Sequence, residues 1–236
     1  MKTTLFIPTR NEVESMRVIM PRVKREWCDQ ILIVDYSTDG TADYARAQGY
    51  EVLEQKGKGL RHAFIEGFPR VRGDIVITFS PDGNSIPEVI PELIEKMKEG
   101  YDMVIASRYL GPAKSDDDDV MTGFGNWLFT RMINLLHGRR WSQPYTDAMV
   151  MFRAYKTRLF YDLDLDQEES YRPERWFGTT LGIEPLLSIR AAKRKLKIGE
   201  IGADEPPRIG GKRKLQMFRW GGAYMAQVWR ELFYWR

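Results

Sequence analysis

The chain has one cysteine and two histidines among 236 residues. Cys28 alone cannot close an internal disulfide, which suits a reducing, cytoplasmic compartment. His62 and His137 lie far apart in the sequence, which argues against a histidine-based zinc site and against a Ser-His-Asp triad. No run of 18 apolar residues occurs, so no segment is predicted to span a bilayer. The opening MKTTLFIPTRNE carries an apolar run too short for a signal peptide. Neither sign of charge prevails: 36 Lys and Arg stand against 33 Asp and Glu, so a general binder of nucleic acid is not indicated. Internal repeats and low-complexity linkers are also lacking, so no second independent domain is expected.

What remains is an ordinary globular composition, 43% hydrophobic and 29% charged. Over the first 110 residues, strand-like and helix-like segments alternate. TTLFIP, QILIVD, YEVLE, DIVITF and DMVIAS read as strands. Between them, helices are predicted over Glu14–Trp27 (broken near Pro21), Thr41–Gln48, from the glycine-rich KGKG turn through Phe68, and over Pro87–Lys98. Continuous β-branched strands between helices of ~10 residues indicate an α/β fold, a mostly parallel sheet with helices on both faces. After Arg108 the rhythm changes. GPAKSDDDD reads as a solvated polar loop, Thr122–Leu136 as an amphipathic helix, DAMVMFRA as a strand, Gly182–Lys193 as a helix and KLKIGEIG as a strand.

Three segments fall where strands of a parallel sheet end. In IPTRNE, Pro8, Arg10, Asn11 and Glu12 follow the first strand. In VDYSTDGT, Asp35 closes the second strand and Asp39-Gly40-Thr41 caps the next helix. In DIVITFSPDGNSIPE, Ser80-Pro81-Asp82-Gly83-Asn84 follow the fourth. Each is also ordinary turn chemistry. Together they place acids and an amide along one edge, where open α/β sheets bind ligands.

These motifs, with KGKG, SRY, the D-x5-R of DAMVMFR and PPRIGGKRKL, resemble in order and spacing the inverting family 2 glycosyltransferases. The likeness to dolichyl-phosphate mannose synthases and related polyprenyl-phosphate enzymes covers roughly Thr3 to Leu215. It implies a GT-A fold over residues 1–215, with 1–110 as the nucleotide-sugar-binding half and 111–215 as the acceptor half. It also implies a UDP- or GDP-sugar donor, Mg²⁺ or Mn²⁺ as cofactor and a polyprenyl phosphate acceptor. Pro8, Arg10, Glu12, Asp35 and Lys58 then line the donor pocket. Ser80, Pro81, Asp82 and Asn84 occupy the place of the family's Asp-x-Asp and its following amide, with Asp82 and Asn84 as metal ligands. Arg208 and Lys214 match basic residues near the donor phosphates. Asp147 matches the acid proposed to face the acceptor, and Glu184 resembles another family acid.

Two departures stand out. Ser80 replaces the first acid of the metal motif, which lowers the expected metal affinity. VDYSTDGT is one residue shorter than the usual VDDGSTDGT, with Tyr36 near the second acid's place. A transferase acting on a glycan hydroxyl and a nucleotide-sugar-binding protein that has lost catalysis are the alternative readings. A sugar-phosphate nucleotidyltransferase is disfavoured, because the N-terminal segment lacks a Gly-rich, Arg-containing triphosphate loop.

The basic charge concentrates at the C-terminus: seven Lys or Arg and one acid, Glu231, lie from Pro206 onward. Residues 216–236 read as an aromatic-basic helix with Met217, Trp220, Tyr224, Val228 and Leu232 along one stripe. Such a helix either lies peripherally on the cytoplasmic face of a membrane or packs on protein.

Overall fold

The computed structural model describes residues 1–138, 143–210 and 217–235. The chain begins β1 (Thr3–Thr9), α1 (Val13–Ile19), β2 (Gln30–Asp35), α2 (Thr41–Ala47), β3 (Glu51–Glu54), α3 (Leu60–Gly67), β4 (Ile75–Thr78), α4 (Ile90–Lys98) and β5 (Met103–Ser107). It continues with α5 (Val120–Leu136), β6 (Arg153–Lys156), α6 (Leu159–Asp162), α7 (Glu174–Phe177), α8 (Glu184–Lys193), β7 (Ile198–Gly202) and α9 (Met217–Arg230). The strands form one sheet in the order β3-β2-β1-β4-β6-β5-β7. All pairings are parallel except the two made by β6, which runs antiparallel to β4 and β5.

Successive side chains of a strand point to opposite faces, and the apolar residues divide accordingly. Phe6, Leu32, Val34 and Val76 share one core with Phe64 of α3, Leu187 of α8 and Val228 of α9. Leu5, Ile7, Ile33, Ile75 and Ile77 share the other with Met16 and Ile19 of α1 and with Leu93 and Met97 of α4. A sheet buried on both faces requires strands apolar at every position, which is what these segments spell.

Two boundaries differ from the sequence reading for local chemical reasons. The helix predicted over Glu14–Trp27 stops at Ile19, a short turn holds Pro21, and a second turn spans Arg25–Trp27. DAMVMFRA is a strand only from Arg153 onward. Its first part is a turn in which the Asp147 carboxylate accepts from the backbone N–H groups of Met149 (3.2 Å) and Val150 (3.1 Å). The fully buried Arg153 guanidinium clamps that turn by donating to the carbonyls of Ala148 and Val150 and to Ser188 Oγ.

Of the two alternatives for the C-terminal helix, its inner stripe packs on its own domain. Ala223, Gln227, Val228, Glu231 and Trp235 are buried. Arg190 of α8 makes two 3.0 Å bonds to the Glu231 carboxylate, both side chains sealed from solvent. The same guanidinium donates to the carbonyl of Leu163 (2.7 Å) and to Ser170 Oγ (3.0 Å), and Trp235 donates to Asp164 (2.7 Å). No helix among the described residues is long and apolar enough to cross a membrane.

Candidate functional site

The topology brings the expected residues to one rim. β1 to β5 and β7 all end there, and antiparallel β6 starts there, with Arg153 opposite Thr78 and Ile105. β3, β2, β1 and β4, adjacent in the sheet, bring Lys58, Asp35, Arg10 with Glu12, and Asp82 in turn to their C-terminal ends or the loops that follow, Asp35 being the last residue of β2. The loops before β6 and after β5 and β7 carry Asp147, Arg108 and Arg208. Seven loops from distant parts of the chain therefore gather at one rim of the sheet.

On the β1–β2 side the loops are laced together. Asp35 is buried and accepts from Thr9 Oγ1 (2.6 Å) and from the Ser37 backbone N–H (3.1 Å). Asn11, in the left-handed region at φ 57°, accepts from the Thr38 N–H (2.9 Å) and donates its own N–H to Ser37 Oγ (2.7 Å). Glu12 donates its N–H to Thr41 Oγ1 (3.0 Å) and accepts from Ser15 Oγ (3.1 Å). Pro8 is half-buried, whereas Arg10 and Lys58 are exposed. Gln55, which the sequence reading passed over, shapes the Lys58 loop by donating to the carbonyls of Gly57 (2.6 Å) and Gly59 (3.2 Å).

At the end of β4, Pro81 and Asp82 are buried, while Ser80 and Asn84 are half-buried. One Asp82 oxygen accepts the Asn84 N–H (3.1 Å); the other pairs with Arg208 Nη2 (2.9 Å). The Asp82 carbonyl accepts the Ile209 N–H (2.7 Å), so the loop after β7 docks on this turn. Gly83 makes the docking feasible. It sits at φ 98°, and a Cβ there would lie 2.8 Å from Ile209 Cγ1 and 3.1 Å from its backbone nitrogen. Gly83→Ala is expected to cost about 1–3 kcal/mol of stability by displacing this loop. Gly111, at φ 63° but facing open space, is the control. Melting curves of both variants check this, and Gly83→Ala should lose more. Lys214 lies outside the described residues.

A divalent cation fits this turn in one respect. Among the described residues, Asn84 Oδ1 is buried without a hydrogen-bond partner, an oxygen aimed at nothing beside an acid. No group of three or more His, Cys, Asp or Glu among the described residues could hold a metal by itself. Asp82 and Asn84 thus offer two oxygens, and phosphate oxygens and water would complete an octahedron.

Across the rim, Asp147 is fully buried and bound to Arg108, through Nε at 2.6 Å and Nη2 at 3.1 Å. Arg108 also reaches Glu205 (3.2 Å) and Asp118 (3.7 Å). Burial opposes the guanidinium charge, but Asp147 and Glu205 outweigh it and hold Arg108 firmly protonated. Arg108, quoted above within SRY, received no role from the sequence; its position directly after a strand's C-terminal end was the available signal. Glu184 opens α8, buried, with its carboxyl pushed up by burial. The aspartate run is solvated only in part, with Asp116 and Asp119 exposed and Asp117 and Asp118 half-buried. Asp117 accepts from the Arg208 N–H (3.4 Å), Asp118 from Asn126 Nδ2 (3.0 Å) and from the Tyr109 hydroxyl, and Asp119 caps α5 through the Thr122 N–H (2.7 Å).

Beside Arg108 lies a cavity of about 280 Å³. Its polar end holds Arg108, Asp118, Asn126 and Glu205; its walls are Met121, Phe129, Met149, Met151, Trp220 and Tyr224. A larger cavity of about 330 Å³ lies away from these loops, around Lys195–Ile198 at the start of β7.

The rim geometry is joined by a direct match: a model of glycosyl transferase family 2 aligns with residues 4–164. The chain belongs to this family. The family 2 glycosyltransferase is 27% identical over 247 residues to undecaprenyl-phosphate mannosyltransferase of Micrococcus luteus, with 98% of each chain covered. It is 25% identical over 229 residues to glycosyltransferase AglJ of Haloferax volcanii, covering 96% of this chain and 70% of the relative. It spans half the length of the undecaprenyl-phosphate 4-deoxy-4-formamido-L-arabinose transferases that it also matches. Among solved structures, glucosyl-3-phosphoglycerate synthase of Mycobacterium tuberculosis, crystallised with Mn²⁺, UDP-glucose and phosphoglyceric acid, superposes with a TM-score of 0.62 at 18% identity, covering 98% of this chain and 79% of that one. That likeness gives the fold, GT-A.

Proposed function

We propose that this glycosyltransferase moves a sugar, with inversion, from a nucleotide sugar to a polyprenyl phosphate. The observation that carries the reading is the cavity beside Arg108, polar at one end, where Arg108 stands among Asp118, Asn126 and Glu205, and apolar along its walls, which suits a polar headgroup joined to a hydrocarbon chain. Its support from relatives is the full-length match to an undecaprenyl-phosphate mannosyltransferase.

The donor lies along the β1–β4 side of the rim. Asp35, with Pro8, Arg10, Glu12 and Lys58 around it, receives the nucleoside, and the diphosphate reaches the Asp82 turn. Mg²⁺ or Mn²⁺ held there by Asp82 and Asn84 would offset the charge developing on the leaving diphosphate. Arg208, paired with Asp82 (2.9 Å), would offer its charge to the diphosphate, joined by Lys214. Asp147, locked to Arg108, orients the guanidinium rather than removing a proton. A phosphate acceptor is already ionised near neutral pH and needs no base. A glycan hydroxyl is the second reading, favoured by the Asp118 carboxylate at the polar end of the same cavity.

Thermal melting with UDP-, GDP- and dTDP-sugars, with and without Mn²⁺, tests the donor half. One nucleotide sugar should raise the melting temperature, and Mn²⁺ should raise it further, since a ligand bound only to the native state stabilises it. No shift with any donor would overturn the reading; a shift without turnover would indicate a binder that has lost catalysis.

A further inference from the structure

The outward face of α5 is the wrong chemistry for water. Val120 is 94% exposed, Phe124 58%, Trp127 54% and Leu135 57%. These positions recur at helical spacing over four turns, so they form one stripe, where a surface helix normally carries charge. Between Val120 and Leu136 the only charged residue is Arg131. Phe124 stacks on Trp127 at 5.8 Å between centroids, and the Arg131 guanidinium lies 5.8 Å from the Trp127 ring. Scattered apolar residues on a surface need no explanation, whereas a contiguous stripe does.

We infer that this face of α5 rests on a lipid bilayer and delivers the lipid-linked acceptor to the cavity behind it; the inference rests on the acceptor reading above. Three observations select a bilayer as the occupant. The first is continuity: Met121 is exposed at the stripe's edge and also lines the cavity, with Gly125 and Phe129 behind it. A hydrocarbon chain leaving the cavity therefore runs onto the same apolar surface. The second is composition. A helix without acids, bearing Trp, Phe and one Arg over an aromatic ring, matches the headgroup boundary, where a ring sits in the acyl region and a cation meets phosphate. The third is charge. Of the four aspartates preceding α5, Asp116 pairs with Lys114 at 3.1 Å and Asp118 lies 3.7 Å from Arg108, so two of the four face a cation of the protein. Arg139 and Arg140 follow α5 in the sequence.

Of the stripe expected to face lipid in residues 216–236, Val228 is buried and Trp220, Tyr224 and Leu232 are half-buried, with Trp220 and Tyr224 lining the cavity. Trp229, Phe233 and Tyr234 of that segment are exposed.

The test is sedimentation of the full chain with vesicles of phosphatidylcholine, alone or with a quarter phosphatidylglycerol, comparing wild type with Phe124→Glu/Trp127→Glu. Neither residue lines the cavity. Wild type should co-sediment, more with the anionic lipid, and the double variant should bind roughly tenfold or more weakly, as expected for two aromatics withheld from the bilayer. Phe233→Glu, also on the surface (79% exposed) but at the end of the C-terminal segment, should bind as wild type. Wild type left in the supernatant would overturn the inference, as would a double variant that still sediments. So would a dimer in solution that the double variant dissolves, since the stripe would then face a second copy. A short-chain isoprenyl phosphate, soluble without vesicles, separates this from the acceptor reading. If the double variant glycosylates it like wild type, the loss is one of docking alone. If wild type binds vesicles but glycosylates no isoprenyl phosphate, the acceptor reading fails while the docking surface stands.

Discussion

Asp82→Asn is expected to lower sugar transfer by about 100- to 1000-fold while leaving the fold intact. Asparagine keeps the shape of the turn and can still accept the Asn84 N–H, now 3.1 Å from the carboxylate. It removes the negative charge that Arg208 pairs with and that the proposed cation would need. The freed guanidinium is partly exposed and can turn to water, so the melting temperature should move by no more than about 4 °C. Turnover assays and melting curves on the purified variant check both halves. Wild-type turnover would reduce Asp82 to a turn residue. The converse change, Ser80→Asp, should tighten Mn²⁺ binding by restoring a second carboxylate beside Asp82.

Glu231→Ala has the largest effect expected on stability. Arg190 and Glu231 are both sealed from solvent and joined by two 3.0 Å bonds. Removing the acid strands a buried guanidinium, and breaking such a pair from one side typically costs about 3–5 kcal/mol. For a chain of this size that is a fall of roughly 6–20 °C in melting temperature. Arg190 keeps its bonds to Leu163 and Ser170, which places the expectation toward the lower end. Phe233→Ala, two residues on and mostly exposed, should change little. A melting temperature unchanged in Glu231→Ala would mean that the C-terminal segment is not part of the core.

The sheet was legible because its strands are buried on both faces. Leu5 to Ile7, Ile31 to Val34 and Ile75 to Thr78 are unbroken apolar or β-branched runs, and parallel topology follows from the helices between them. The rim was legible for the same reason: once strands are parallel, whatever follows each one shares an edge. β6 was not. A strand's direction has no local signature, and the Asp147 turn that shortens it depends on backbone N–H groups donating to the Asp147 carboxylate, a geometry that composition does not reveal. The C-terminal helix read equally well as interfacial or packed, because what decides it is Arg190, forty-one residues away in α8. The aspartate run looked wholly solvated because its partners, Arg208, Asn126 and Tyr109, come from three other segments. Arg153 was read as half of a motif; its role as the clamp on the Asp147 turn is visible only in three dimensions.

The most direct measurement mixes the protein with Mn²⁺, a nucleotide sugar labelled in the sugar and a polyprenyl phosphate in detergent, then follows the label between aqueous and organic phases. The expected result is label in the lipid fraction, one nucleoside diphosphate released per sugar transferred, and an anomeric linkage opposite to that of the donor. Label that stays in water while nucleoside diphosphate is released, or a lipid-linked sugar with the donor's own anomeric configuration, would contradict transfer with inversion to a lipid phosphate at this rim.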